Sequence, residues 1–216
     1  SSPTTKVPTT TIQTLPEILS IQSRQETYID SAEPDENFGT SNRLRVDGSP
    51  RRWTLIEFDL SSINNSIQRQ SRTANHGVVG ASLRLYPTDS GGSSTVYAVP
   101  SSIQWSENSV TWNNFTSVDA SEEVEVGSIG WVNSYQWKEV DVSSTFTSGL
   151  TDISDTITFL IKSGSNNGVS YRVGPFSPRM ELTIGSDDNV VTSPPSPMVR
   201  DSIVLNLLTC SFDSIH

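Results

Sequence analysis

The chain has 216 residues, with 14 Lys+Arg against 24 Asp+Glu, a formal net charge of −10, and one cysteine, Cys210. That length allows one large β domain or two small ones, with a core that needs no disulfides; a lone cysteine excludes a disulfide framework and a cysteine-rich zinc site. The acidic balance disfavours nucleic acid and anionic membrane surfaces as partners, and no apolar run reaches the roughly 18 residues of a membrane helix, so membrane insertion is not expected.

The chain opens on a Thr/Pro-rich stretch, SSPTTKVPTTTIQTLP. It has too little apolar surface to offset its ordering entropy and reads as a linker or an O-glycosylated stalk over residues 1–20. Ser1 follows neither a methionine nor a signal peptide, so the expectation is a piece of a longer, secreted or cell-surface precursor, tethered to other domains.

Residues 21–185 then read as one folded module. Short runs of Val, Ile, Thr, Tyr and Phe alternate with Gly/Ser/Asn/Asp/Pro clusters, the pattern of many short strands. In chain order the spacing predicts strands at Glu26–Asp30, Asn42–Asp47, Trp53–Leu60, Val79–Tyr86, Thr95–Val99, Ser109–Trp112, Trp137–Val142, Thr156–Lys162, Val169–Val173 and Arg179–Ile184. Leu44 and Val46 are expected to face inward and Arg43, Arg45 and Asp47 outward. Ile56, Phe58 and Leu60 oppose Leu55, Glu57 and Asp59 in the same way. Such half-buried alternation belongs to antiparallel sheets, and about ten strands in one domain give an all-β, antiparallel two-sheet β-sandwich of jelly-roll type. Residues 186–216 form a Ser/Pro-rich linker and tail.

Three groups of side chains carry candidate chemistry. Arg43, Arg45, Arg51 and Arg52 concentrate four of the 14 cations within ten residues, with Trp53 beside them. Guanidinium groups match carboxylates bidentately, which suits a uronate, and an indole offers a platform to a sugar face. The plainer reading pairs Arg43 and Arg45 with carboxylates across the strands. Asp30, Glu33, Asp35, Glu36 and Asn37 make an oxygen-rich loop; Asp30, Asp35 and Asn37 are the candidate ligands of a structural calcium ion, although EF-hand spacing is absent and a solvated turn ending at Gly39 explains the loop equally. Tyr135 and Trp137 adjoin a Gly/Ser-rich loop where a second sugar platform is possible, whereas Trp105 and Trp112 are expected to pack at the sandwich edge.

Catalytic options are poor. His76 is the sole histidine inside the module and lacks a nucleophile-elbow motif, and His216 ends the tail. Two sequons, at Asn64 and Asn114, are compatible with secretion.

Four features in fixed order resemble carbohydrate-binding module family 96, the DNRLRE domain. They are ETYIDSAEPDENFGTSNRLRVDGSP with Asn42-Arg43-Leu44-Arg45; WTLIEFDLSSI; ASLRLYP followed by WSENSVTWNN; and WKEVDVSS with a closing SPRMELTI. Together they span about Arg24 to Ile184. The insertion at Ser61–Gly80 is longer than the family pattern, and Tyr171-Arg172 is similar to a Ser-Arg feature of the family, which adds Arg172 to the candidate ligand-binding residues Arg43, Arg45 and Trp53. The resemblance implies a β jelly roll appended to polysaccharide-degrading enzymes or repetitive surface proteins, with some members binding acidic polysaccharides such as alginate or pectin. The expected function is therefore a non-catalytic, extracellular carbohydrate-binding module with a polysaccharide as partner. The alternative is a structural or adhesive module without glycan binding.

Overall fold

The computed structural model describes residues 16–63, 76–116, 122–147 and 155–186. Eleven strands are present among these: β1 Glu17–Gln22, β2 Gln25–Asp30, β3 Arg43–Gly48, β4 Arg51–Asp59, β5 His76–Leu85, β6 Ser94–Val99, β7 Val124–Ile129, β8 Lys138–Asp141, β9 Thr156–Lys162, β10 Val169–Arg172 and β11 Arg179–Ser186. Short helical segments accompany them, among them α1 Trp112–Thr116, α2 Ser144–Thr147 and a 3-10 turn at Gly174–Phe176.

The strands form a four-stranded sheet in the order β1-β11-β5-β8 and a seven-stranded sheet in the order β10-β3-β4-β9-β6-β7, with β2 also paired to β4. Every pairing is antiparallel. The chain crosses between sheets at β1–β2, β4–β5, β5–β6, β7–β8, β8–β9 and β10–β11, which is the winding of a jelly roll.

The main core lies between the sheets and is built by period-2 alternation. Leu44 and Val46 of β3, Ile56 and Phe58 of β4, Leu83 and Leu85 of β5, and Met180 and Leu182 of β11 all point into it.

A second core covers the outside of the seven-stranded sheet. Leu55, Ile29, Leu160 and Val99 project outward from β4, β2, β9 and β6, and Val110 and Phe115 cover them, with Ile103, Trp105 and Trp112 at the rim. Both faces of β4 are thus buried, so Leu55 and Glu57 are not solvent-facing as alternation predicts. The covering segment is clamped in place: Gln25 Nε2 donates to Glu57 (3.0 Å), Gln25 Oε1 accepts from the Glu107 N–H (3.2 Å), and Trp105 Nε1 donates to Thr158 Oγ1 (3.1 Å).

One predicted element differs, and two strands are unpredicted. Ser109–Trp112 is not a strand but a turn leading into α1, because its apolar residues serve the second core rather than a ladder. Strands β1 and β7 lie outside the predicted set. Strand β1 begins within the stretch assigned to the linker, since Leu19 and Ile21 pack on the main core while Ile18 and Ser20 face out.

Candidate functional site

Alternation on β3 buries Leu44 and Val46 and leaves Arg43 and Arg45 exposed. Strand β10 lies beside it with Tyr171 opposite Leu44, Arg172 opposite Arg43 and Ser170 opposite Arg45. Arg43 and Arg172 are therefore directly facing cations, a cross-strand arrangement that destabilises a sheet. Among the described residues the ion pairs go elsewhere: Arg24 to Glu57, Arg52 to Asp30 and Asp47, Arg84 to Glu139 and Glu181, and Lys162 to Glu123. None involves Arg43, Arg45 or Arg172.

Two of these three arginines are held by aromatic rings instead. The Arg45 guanidinium sits 5.6 Å from the ring centroid of Tyr28, which stacks on Phe38 at 4.3 Å and 18°. Arg172 sits 5.3 Å from the centroid of Phe176, which stacks on Tyr86 at 4.5 Å and 27°. A guanidinium held by a ring has not committed its hydrogen-bond donors to a carboxylate. A carboxylate partner would use those same donors. The row thus combines fixed geometry with unneutralised charge. Beside it lies an open depression of about 190 Å³, lined by Arg45, Asp47, Arg52, Asp89 and Ser170 among others.

The remaining members of the predicted cluster are placed differently. Arg52 bonds Asp30 Oδ2 through Nε at 2.6 Å and lies 3.6 Å from Asp47, both residues facing it across the ladders. Trp53 is half-buried at the rim of the second core. Its ring meets Trp112 at 4.6 Å, and the Lys162 ammonium lies 4.2 Å from its centroid. Arg51 rests over Trp112 at 5.6 Å. Trp53 is therefore engaged with Trp112 and Lys162, whereas the rings under Arg45 and Arg172 are Tyr28 and Phe176.

In the oxygen-rich loop each proposed calcium ligand has protein partners. Buried Asp30 accepts from the Ala32 N–H (2.9 Å) and from Arg52, and Asp35 accepts from Asn113 Nδ2 (2.7 Å). Asn37 donates to the carbonyls of Glu107 (2.8 Å) and Val110 (2.7 Å). Gly39 allows this loop to close against the covering segment, since a Cβ there would stand 2.0 Å from the Glu107 carbonyl oxygen. Among the described residues no group of three or more His, Cys, Asp or Glu is arranged to hold a metal ion.

Trp137 is half-buried with Tyr86 and Phe176, and the guanidiniums of Arg84 and Arg179 lie 5.2 and 5.5 Å from its ring. Tyr135 and Trp131, by contrast, are exposed. Asn114, in α1, donates Nδ2–H to the Ser109 carbonyl of the preceding turn at 2.9 Å; Asn64 and His216 lie outside the described residues, and His76 opens β5. Burial pushes the Tyr171 phenol well above its ordinary range, with the Asp89 charge adding to the effect. Near the β1–β2 corner, burial raises Glu26 above the usual carboxylate range. Hydrogen bonds from Ser177 and Ser23 oppose that shift, and Glu107 adds to it.

A jelly roll that displays unneutralised, ring-supported arginines on one strand pair has the make-up of a binding module. The chain belongs to carbohydrate-binding module family 96, whose family model matches residues 17–177. No curated protein matches it. Among solved structures it is similar to the cryo-EM structure of Mud crab tombus-like virus (10% identity, 85% of this chain and 87% of that one, TM-score 0.27). It is likewise similar to Desmodium yellow mottle tymovirus (12% identity, 83% and 94%, TM-score 0.25). Both likenesses are too loose to support any argument about function.

Proposed function

We propose that the module is non-catalytic and holds a longer, secreted protein on an anionic, uronate-bearing polysaccharide, with Arg43, Arg45 and Arg172 as the ligand-binding row. One observation carries this reading: Arg172 lies directly opposite Arg43 with no ion-paired carboxylate, an arrangement that costs the free protein stability and is relieved by an external anion. A linear polyuronate presents one carboxylate per sugar ring to such a row, and attachment to it raises the effective concentration of neighbouring domains at the polymer. Trp53 is left out of the row because its ring already meets Trp112 and Lys162.

The test is affinity-gel retardation on alginate, pectin, xylan and cellulose across a salt series. Retention on the acidic gels that weakens as salt rises, and is lost in Arg43→Ala/Arg45→Ala, is the expected result. Retention on no polymer would return the module to a structural or adhesive role.

A further inference from the structure

The arginine-bearing surface does not stop at β10. Thr88 donates its N–H to the Ser170 carbonyl (2.8 Å), Arg172 donates to that of Tyr86 (2.9 Å), and Pro87 bridges Tyr171. The next rung is the 131–135 segment. Gly91 and Val132 exchange backbone hydrogen bonds, and Tyr135 donates to the Pro87 carbonyl at 2.8 Å. Gly91 permits the close approach, since a Cβ there would meet Val169 Cβ at 2.6 Å and the Gly168 carbonyl at 2.8 Å. Residues 86–91 and 131–135 thus prolong the surface beyond β10 by two strand spacings, about 10 Å.

Asp89 on the first rung accepts from the Ser170 N–H (2.7 Å), and the side chains of the 131–135 segment are of another kind. Val132 turns into the core, so its neighbours Trp131 and Asn133 point away from it, as Arg43 and Arg45 do on β3. Trp131 is 61% exposed and Tyr135 63%, and Asn133 and Gln136 are exposed between and beside them. Tyr135 takes φ 60°, a left-handed conformation that a bulky residue adopts only at a cost. No charged residue occurs from Gly130 to Trp137. Two amphipathic rings with amides and no fixed charge are complementary to the C–H faces and hydroxyls of sugar rings, and bring no cation to a carboxylate.

We infer that Trp131 and Tyr135 form an uncharged stacking subsite continuing the arginine row, so that one polysaccharide chain is bound over several sugar units. Charge would engage it at β3–β10 and ring faces at the 131–135 segment. This rests on the reading of the row as a polysaccharide site.

The test is calorimetry of the full chain with oligouronates of graded length, over a salt series. Trp131→Ala/Tyr135→Ala is expected to weaken binding of long oligomers about five- to tenfold. It should leave the salt dependence of affinity unchanged and spare oligomers too short to reach past the row; Trp131→Phe/Tyr135→Phe should restore most of the loss. Arg43→Ala/Arg45→Ala/Arg172→Ala should instead flatten the salt dependence. Long oligomers binding the aromatic-deleted variant as tightly as the unsubstituted protein, while the arginine variant fails, would overturn the subsite alone. An arginine variant with unaltered affinity and salt dependence would overturn the row. Weakened binding by the aromatic variant would in that case still support the stacking subsite.

Discussion

Replacing Arg43 with Gln removes one member of the facing pair formed with Arg172 and touches no ion pair among the described residues. Cross-strand neighbours have Cβ atoms about 5 Å apart, and long side chains splay their tips to roughly 8 Å. At that separation in water two unit charges repel by about 0.5 kcal/mol. Screening leaves about 0.4 kcal/mol where the Debye length is ~30 Å, near 0.01 M salt, and under about 0.1 kcal/mol where it is ~3 Å, near 1 M. The free Arg43→Gln protein should therefore be more stable than the unsubstituted one by a few tenths of a kcal/mol at low salt, and no different at high salt. Urea denaturation at both ionic strengths reads this directly, as a shift in midpoint without a change in slope. The same substitution should weaken binding to an acidic polymer, so stability and affinity move in opposite directions. A variant less stable at low salt, or a gain that persists at 1 M, would refute the claim that Arg43 and Arg172 face each other unneutralised.

Three further outcomes are expected. Arg52→Ala leaves buried Asp30 without its cation and should cost about 3 kcal/mol, the lower end for a buried pair because the Arg52 side chain is itself 24% exposed; equilibrium unfolding measures it. Burial raises the pKa of Glu26 above its ordinary 4.5, so the folded state favours the protonated form. The stability linked to that proton is complete below about pH 4.5 and is lost as pH rises through the folded value, so Glu26→Gln should gain stability on the unsubstituted protein near pH 7 and gain none near pH 4. Because Asp30, Asp35 and Asn37 already have protein partners, thermal unfolding should be unmoved by a calcium chelator; a lowered Tm would return calcium to that loop.

Strands buried on one face were the readable part of this chain. Leu44 and Val46 against Arg43 and Arg45, or Met180 and Leu182 against Arg179 and Glu181, alternate because one side meets the core and the other water. Strand β4 carries the same alternation, but its second face is buried too. Leu55 is fully enclosed because a distant segment, Pro100 to Thr116, folds over it, and nothing local announces such a cover. Strand β7, VEVGSI, escapes a pattern search because a glutamate, a glycine and a serine dilute its signal and the ladder to β6 is bulged between Val96 and Tyr97. Within the site, the outward direction of Arg43 and Arg45 follows from the neighbouring leucine and valine. Their supports do not: Tyr28 meets Phe38 across a loop, and Tyr86 meets Phe176 from another sheet connection, pairings that only the fold creates. Trp131 and Tyr135 lay in a segment whose exposure depends on the Gly91–Val132 bridge, which no periodicity encodes.

The pairing of β1 with β11 has a mechanical corollary. Glu17 lies opposite Ile184, so the chain enters β1 and leaves β11 at the same end of one ladder. Tension applied through the residues before Glu17 and after Ser186 would load that ladder as a zipper, opening one rung at a time, rather than in shear across all rungs at once. Zippers yield at low force because each rung bears the load alone. The edge strand β1 would peel first, while β3 and β10 belong to the other sheet. A pull on both ends of the module would thus open β1 from β11 before it strained β3 and β10.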